Sequence, residues 1–367
     1  MRLKPLILST ALLLPCMAQA ALYITIVQGL GGQAQYDEEF TDSRSKIHAA
    51  SVTMTDADKV ASFEGDGATR EALMAHFASL NKTMTDSDRA VIYLIGHGSF
   101  DGETYKFNIK GPDLTAEDFK NILTALPGRN HFLVNTSSTS GAMLDTLVGE
   151  GEEASNPDYV VIAATRNGNE RNATHFSRFF AEALTTEAAD INKNNSISIQ
   201  EAFDFADRRV SAYFEEGGRL ATEHAQLRGE GADRFNLSRL NALELETELA
   251  EADDGLRTLL EQRQAIDDQI EELQLRRSEL GNAAYIQQLQ ALILEAAKLS
   301  EQIDALRGPS APAPARSASA QNNATPPTLP NPRRGGGQLQ GDLSPFEDPA
   351  EVRRAPPETR AGGNQIQ

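Results

Sequence analysis

The chain of 367 residues contains one cysteine, Cys16. Without a thiol beyond position 16, the remainder has no disulfide framework, no thiolate metal site and no cysteine nucleophile. Cations are scarce as well: 34 Lys and Arg stand against 53 Asp and Glu. That balance excludes a nucleic-acid footprint and predicts a soluble, self-repelling surface. After residue 20 no apolar stretch approaches the roughly 18 residues needed to cross a bilayer, so no transmembrane segment is expected.

What is present begins with a leader-like start. Arg2 and Lys4 precede an apolar stretch, which ends in Ala18-Gln19-Ala20. This is the pattern of a cleavable secretory signal over residues 1–20, predicting a chain that matures at Ala21 and is periplasmic or secreted. Pro15, just before Cys16, fits poorly the small residue that a lipoprotein site wants. Cleavage at Ala20 then removes the only thiol.

From residue 21 to 236, short apolar runs alternate with amphipathic stretches. The runs are 22–28, a weaker one at 59–64, 90–95, 131–135 and 159–165, and each ends in a cluster of Gly, Asn, Ser or Thr. That rhythm predicts an α/β domain whose mostly parallel sheet is covered by helices on both faces. Helix starts are legible at Thr69 and at Thr115, which forms a capping box with Asp118. Phe176, Phe179, Phe180 and Leu184 lie on one helix face and predict core. In such a sheet the ligand crevice lies beyond the carboxyl ends of the strands, where His97, Ser137, Ser138 and Arg166 fall.

Residues 237–307 change character. Leu256, Leu259, Ile266, Ile270, Leu273 and Leu280 follow a 3-4 spacing, with Arg263 and Arg277 at two seam positions. A second register runs through Leu289, Leu292, Ala296, Leu299, Ile303 and Leu306. The registers shift at Gly281-Asn282, predicting an antiparallel pair of coiled-coil helices and a surface for self-association or for another helical protein. Helices packed on the α/β domain are the alternative. Residues 308–367, rich in Pro, Ala, Gly, Gln and Asn, are expected to be disordered.

Residues 190–201 follow the grid of a calcium-binding EF-hand loop. Asp190, Asn192, Asn194, Ser196 through its carbonyl, Ser198 and Glu201 occupy the ligand positions, and Ile197 the apolar eighth. Asn195 stands where glycine is usual. With two carboxylates only, calcium binding is expected to be weak, at about 10⁻⁴ to 10⁻³ M. An Asp/Asn-rich turn capping the next helix is the plainer reading.

Two stretches resemble the caspase and legumain superfamily of cysteine peptidases, over about residues 22–235. "YLIGHGS" resembles the His-Gly that follows one buried strand, with His97 and Gly98 in place. "Ser138-Thr139-Ser140-Gly141" resembles the legumain pattern of cysteine, any residue, serine, glycine, with Ser138 at the cysteine position. The resemblance implies a crevice built around His97 and Ser138, beside which Gly98, Ser99 and Ser137 are candidate binding residues. Arg166, Asn167 and Glu170 follow the next strand and are candidates to bind an acidic group or a peptide carboxylate, the alternative being a loop held by its own hydrogen bonds.

A serine hydroxyl needs a base in direct hydrogen-bond reach and an orienting third group, whereas a thiol with a pKa of about 8.5 yields thiolate beside a histidine. The expectation is therefore a peptidase homologue without peptidase chemistry, binding a peptide or protein partner and assembling through its coiled coil. The alternative is a hydrolase using Ser138, or Ser137 or Thr136, with His97 as base and amides near Gly98 as oxyanion hole. Asp101, Asp113 and Glu170 are the acids available to orient the base.

Overall fold

The computed structural model describes residues 20–307, apart from 129, 130, 150, 152–155, 157 and 279. The leader, but for Ala20, and the expected disordered tail lie outside the described residues. The chain builds β1 (Leu22–Gln28), α1 (Ala34–Ser51), β2 (Val60–Phe63), α2 (Arg70–Thr83) and β3 (Arg89–Ile95). Then come β4 (Gly98–Phe100), β5 (Tyr105–Phe107), β6 (Leu114–Thr115), α3 (Ala116–Ala125), β7 (His131–Asn135), α4 (Leu144–Val148), β8 (Tyr159–Ala163) and α5 (Phe176–Ala183). The last elements are β9 (Ser196–Ser198), α6 (Ile199–Glu216), β10 (Gln226–Arg228), β11 (Asn236–Arg239), α7 (Ala242–Glu251), α8 (Asp254–Leu275) and α9 (Asn282–Arg307).

Six strands form the main sheet in the order β10-β8-β7-β3-β1-β2. All neighbours are parallel except β10, which runs antiparallel to β8 at the edge. The period of two along β3 divides the core: Val91, Tyr93 and Ile95 face one layer, Ala90, Ile92 and Leu94 the other. The first layer is closed by α1, α5 and α6 through Phe40, Ile47, Phe176, Phe180 and Phe205. The second is closed by α2, α3 and α4 through Leu73, Phe77, Phe119, Ile122 and Leu147. Near-continuous apolar strands follow from this double cover, because a sheet buried on both faces has no polar side to alternate with.

Caps fix the helix starts. Thr69 accepts from the Ala72 amide at 3.2 Å, and Thr115 with Asp118 forms the reciprocal box that the sequence predicts. The small antiparallel sheet β4-β5-β6 leaves the end of β3 and buries Tyr105 and Phe107 in the second layer.

Strand β11 carries the α/β domain on to Arg239, pairing with β9. Beyond it, α8 and α9 form an antiparallel hairpin. Arg263 Nε donates to Ser300 Oγ at 3.3 Å, and the Arg277 guanidinium lies 5.4 Å from the Tyr285 ring centre, so both seam arginines reach across it. Ile266, Ala296 and Leu299 make its buried seam.

The hairpin also docks on the domain: Arg239 pairs with Asp268 at 2.6 Å and Glu271 at 3.2 Å, and Arg89 with Glu272 at 3.0 Å. The two sequence alternatives for this region thus coexist. No helix among the described residues is long and apolar enough to cross a membrane.

Candidate functional site

From β1 the chain first steps to β2 at one side, then returns across β1 to β3, β7 and β8 on the other. The strand order reverses between β1 and β3, the position at which open α/β sheets place their ligand crevice. Gly29 to Gly31 close one side of it, and Gly96 to Gly98 the other. The Gly29 amide donates to the Ile95 carbonyl at 2.8 Å, and the Asn108 amide to the His97 carbonyl at 3.0 Å.

His97 is half-buried between two aromatic rings of α1. Tyr36 and Phe40 meet it edge-on, with centroids at 4.9 and 5.2 Å. Its Nε2 lies 3.2 Å from the Gly31 carbonyl oxygen. A carbonyl only accepts, so Nε2 carries the proton and Nδ1 is the free base of the neutral ring. Burial pushes the imidazole pKa below its ordinary value, against the opposing pull of the Gly31 carbonyl and Asp37. The ring is therefore neutral around pH 7.

Ser138 is 3 % exposed. Its Oγ accepts from the Gly98 amide at 3.1 Å and donates to the Gly98 carbonyl at 3.1 Å. This two-way clamp ties the loop after β7 to β4, and it engages both the proton and a lone pair of the hydroxyl. It also consumes the Gly98 amide, the group an oxyanion would use. No hydrogen bond joins Ser138 to His97.

The neighbouring hydroxyls are engaged in the same way. Ser137 Oγ lies 2.7 Å from Tyr105 Oη, which in turn accepts from Asn135 Nδ2 at 2.7 Å. Thr136 Oγ1 donates to the Leu94 carbonyl at 2.9 Å. Thr139 adopts a left-handed backbone at φ 56°, and its amide donates to the Glu170 carbonyl at 2.9 Å. All residues from Asn135 to Gly141 are buried.

Ser99 is exposed and accepts from Asn108 Nδ2 at 3.2 Å. Asp101 is held by Lys106 and its own turn, and Asp113 by Asn108 and the Ile109 amide, so neither orients His97.

The loop after β8 packs on this one, since the Gly141 amide donates to Thr165 Oγ1 at 2.9 Å. Glu170 accepts from the Arg166 amide at 2.7 Å and from His224 Nδ1 at 2.5 Å. Asn167 Oδ1 accepts from the Asn169 amide. Arg166 is exposed, and its guanidinium has no ion pair among the described residues. The structure thus brings Gly98, Ser137, Ser138 and Glu170 into one network, with His97 at its margin and Arg166 facing solvent.

Two features of the site have weak or absent sequence signals. Tyr36 and Phe40 are spaced i, i+4 directly after a glycine-rich turn, and that spacing could have marked the wall facing His97. Glu223 lies in an irregular stretch with no pattern at all. It is 3 % exposed and accepts from the His175 amide at 2.8 Å and the Phe176 amide at 3.2 Å. Burial dominates over these donors and pushes its carboxyl up to about 7.

The 190–201 loop lies away from the crevice, joined to the root of the helical hairpin where the Leu240 amide donates to the Asn195 carbonyl at 2.8 Å. Asn195 adopts φ 61°, the conformation for which glycine is usual there. Ile197 is fully buried in the β9–β11 ladder.

Asp190 accepts from the amides of Asn194 and Asn195, and Asn192 from that of Asn194. Glu201 accepts from Ile191 and Asn192 with one oxygen and from Ser198 with the other. Ser196 and Ser198 complete the turn. Among the described residues, no three His, Cys, Asp or Glu side chains are grouped as a metal site. The oxygens available here are two carboxylates plus amide, hydroxyl and carbonyl groups.

No protein-family model and no curated protein sequence matches the chain. Among solved structures it is similar to a Geobacter sulfurreducens protein at 10 % identity and a TM-score of 0.39, over 57 % of this chain and 94 % of that one. It is also similar to caspase-1 from Spodoptera frugiperda at 11 % identity and a TM-score of 0.37, over 57 % of this chain and 87 % of that one.

Proposed function

We propose that the protein is an exported caspase/legumain-like domain without peptidase chemistry, which binds a peptide or protein in the crevice at the β1/β3 reversal and assembles through its helical hairpin. One observation carries this reading. The hydroxyl at the nucleophile position is buried and spends itself on the Gly98 backbone, and no hydrogen bond joins it to His97, whose free Nδ1 would have to take its proton. An alcohol so placed has no partner to take its proton as it attacks, and the activation that a serine nucleophile requires is missing. Leader-like residues 1–20 support export, and the exposed Arg166 supports an acidic group on the ligand.

A serine-reactive fluorophosphonate probe tests the reading directly. No labelling of the wild-type chain is expected at pH 7 to 8. Labelling that disappears in Ser138→Ala would establish the hydrolase instead.

A further inference from the structure

The stretch 217–225, between α6 and β10, is a strap with a hinge at one end and a fastening at the other. Gly217 and Gly218 leave α6, Gly218 with φ 59°, a conformation that glycine adopts without strain. Residues 217–222 are all exposed, Leu220 by 90 %, and Leu220 to Thr222 make no hydrogen bond to another described residue.

The next two residues hold the strap down. Glu223 accepts from the His175 amide with both oxygens, at 2.8 and 3.0 Å, and from the Phe176 amide at 3.2 Å. His224 donates its amide to Glu170 at 3.1 Å, and its Nδ1 lies 2.5 Å from the other oxygen of that carboxylate. Three segments distant in sequence meet here: the strap, the start of α5 and the loop after β8.

The fastening lies at the carboxyl edge of the sheet. Gln226 pairs with Ala163, the last residue of β8, and its side chain donates to the Arg166 carbonyl at 2.6 Å. The Arg166 amide bonds the same Glu170 carboxylate as His224. What secures the strap therefore also secures the turn that carries Arg166.

Each element around Glu223 brings charge. The loop after β8 supplies Glu170 and α1 supplies Glu39, and both acids oppose ionisation of Glu223. From α5 come His175 and Arg178, from α6 Asp207 facing His224, and from the strap itself Arg219. The two arginines lie over the Tyr213 ring, and Glu223 has no ion pair among the described residues.

A buried carboxyl without a cation is held at least cost as the neutral acid, and burial pushes this one up to about 7. The second fastening responds in the same direction, because His224 and Glu170 form an ion pair only while the ring is protonated. His175, pushed down by burial and by the two arginines, is neutral around pH 7 and adds no charge there.

We propose that residues 217–225 are a pH-operated strap: protons on Glu223 and His224 fasten it to α5 and to the loop after β8, and their loss releases it about the Gly217–Gly218 hinge and loosens the turn at Arg166. The release does not depend on what the crevice binds.

Amide hydrogen exchange of the full chain, corrected for the intrinsic dependence on pH, tests this. Protection in peptides covering 173–178 and 219–226 should fall at least ten-fold from pH 5.5 to pH 8.5, while that of β3 stays constant. Glu223→Gln, neutral throughout, should keep its protection at the start of α5 across the range. Protection that is constant with pH in the wild type, or that falls equally in Glu223→Gln, overturns the strap.

A second measurement leaves Glu223 in place. A nitroxide on Thr222→Cys, in a chain also carrying Cys16→Ser, should gain mobility over the same pH range, and an unchanged line shape overturns the release. Neither readout involves the Ser138 hydroxyl, which the fluorophosphonate probe reports separately.

Discussion

Two polar loops of this chain use similar residues to different ends. Asn135 to Gly141, at the end of β7, and Asp190 to Glu201, leading into α6, are both rich in hydroxyl or amide side chains, and both satisfy backbone groups with them. In the first, most partners are remote: Gly98, Tyr105, Leu94 and Thr165 lie 24 to 42 residues away in sequence. In the second, the side-chain bonds fall within ten residues, and the long-range ties at Asn195 and in β9 are made by the main chain. A loop buried among long-range bonds is part of the core. Where the side-chain oxygens bond only their own turn, an ion has oxygens to compete for.

The largest effect expected from this contrast is at Gly98. A Cβ there would lie 2.4 Å from the Ser138 carbonyl oxygen and 2.7 Å from the Tyr105 ring. Gly98→Ala should therefore cost about 3 kcal/mol in chemical denaturation, as overpacking of a rigid site does. A cost below about 1 kcal/mol would show the buried loop to be pliant and would break the comparison.

Next comes the carboxyl beneath the same loop. Thr174 Oγ1 donates to the Thr136 carbonyl, and two residues on, Phe176 donates to Glu223. The folded pKa of Glu223, about 7, stands above its ordinary 4.5, so the folded state holds the proton more tightly. Its contribution to stability is present below pH 4.5 and lost as pH rises through about 7. Relative to Glu223→Gln, the wild type should lose melting temperature between pH 5 and pH 8. The buried histidines, whose pKa values are lowered, act in the opposite direction in both chains and cancel in the difference.

The smallest effect belongs to the self-closed loop. Glu201→Ala removes a capping box and should cost about 1 kcal/mol. Millimolar calcium should raise the melting temperature of the wild type by one or two degrees at about ten times the dissociation constant, and leave Glu201→Ala unmoved. Equal shifts in both would remove the loop from consideration as a metal site.

Much of the domain was legible because its signals are local. Apolar runs gave the strands of the sheet, Thr69 and Thr115 gave helix starts, and the two heptad registers with a shift at Gly281 gave the hairpin. Strands β4 to β6 were invisible: each has two or three residues, and they form because the turn at His97 delivers them to their partners. The β9–β11 pairing joins segments about forty residues apart, which no window of periodicity spans.

At the site, the sequence placed His97, Ser137 and Ser138 at the right end of the sheet. It gave no hint that the Ser138 hydroxyl is spent on a backbone forty residues away. Hydroxyls bond to whatever backbone the fold presents, and only the fold names it.

A parallel sheet has two unlike ends, and this one uses them for different purposes. His97 and Ser138 stand where the strands finish. Arg89 stands where β3 begins, and with Arg239 it anchors α8 there. No residue belongs to both ends, so the energetic effects of changes at one should simply add to those at the other. A substitution that frees α8 from Arg89 and Arg239 should thus leave the bonds around Ser138 undisturbed, and the reverse should hold as well.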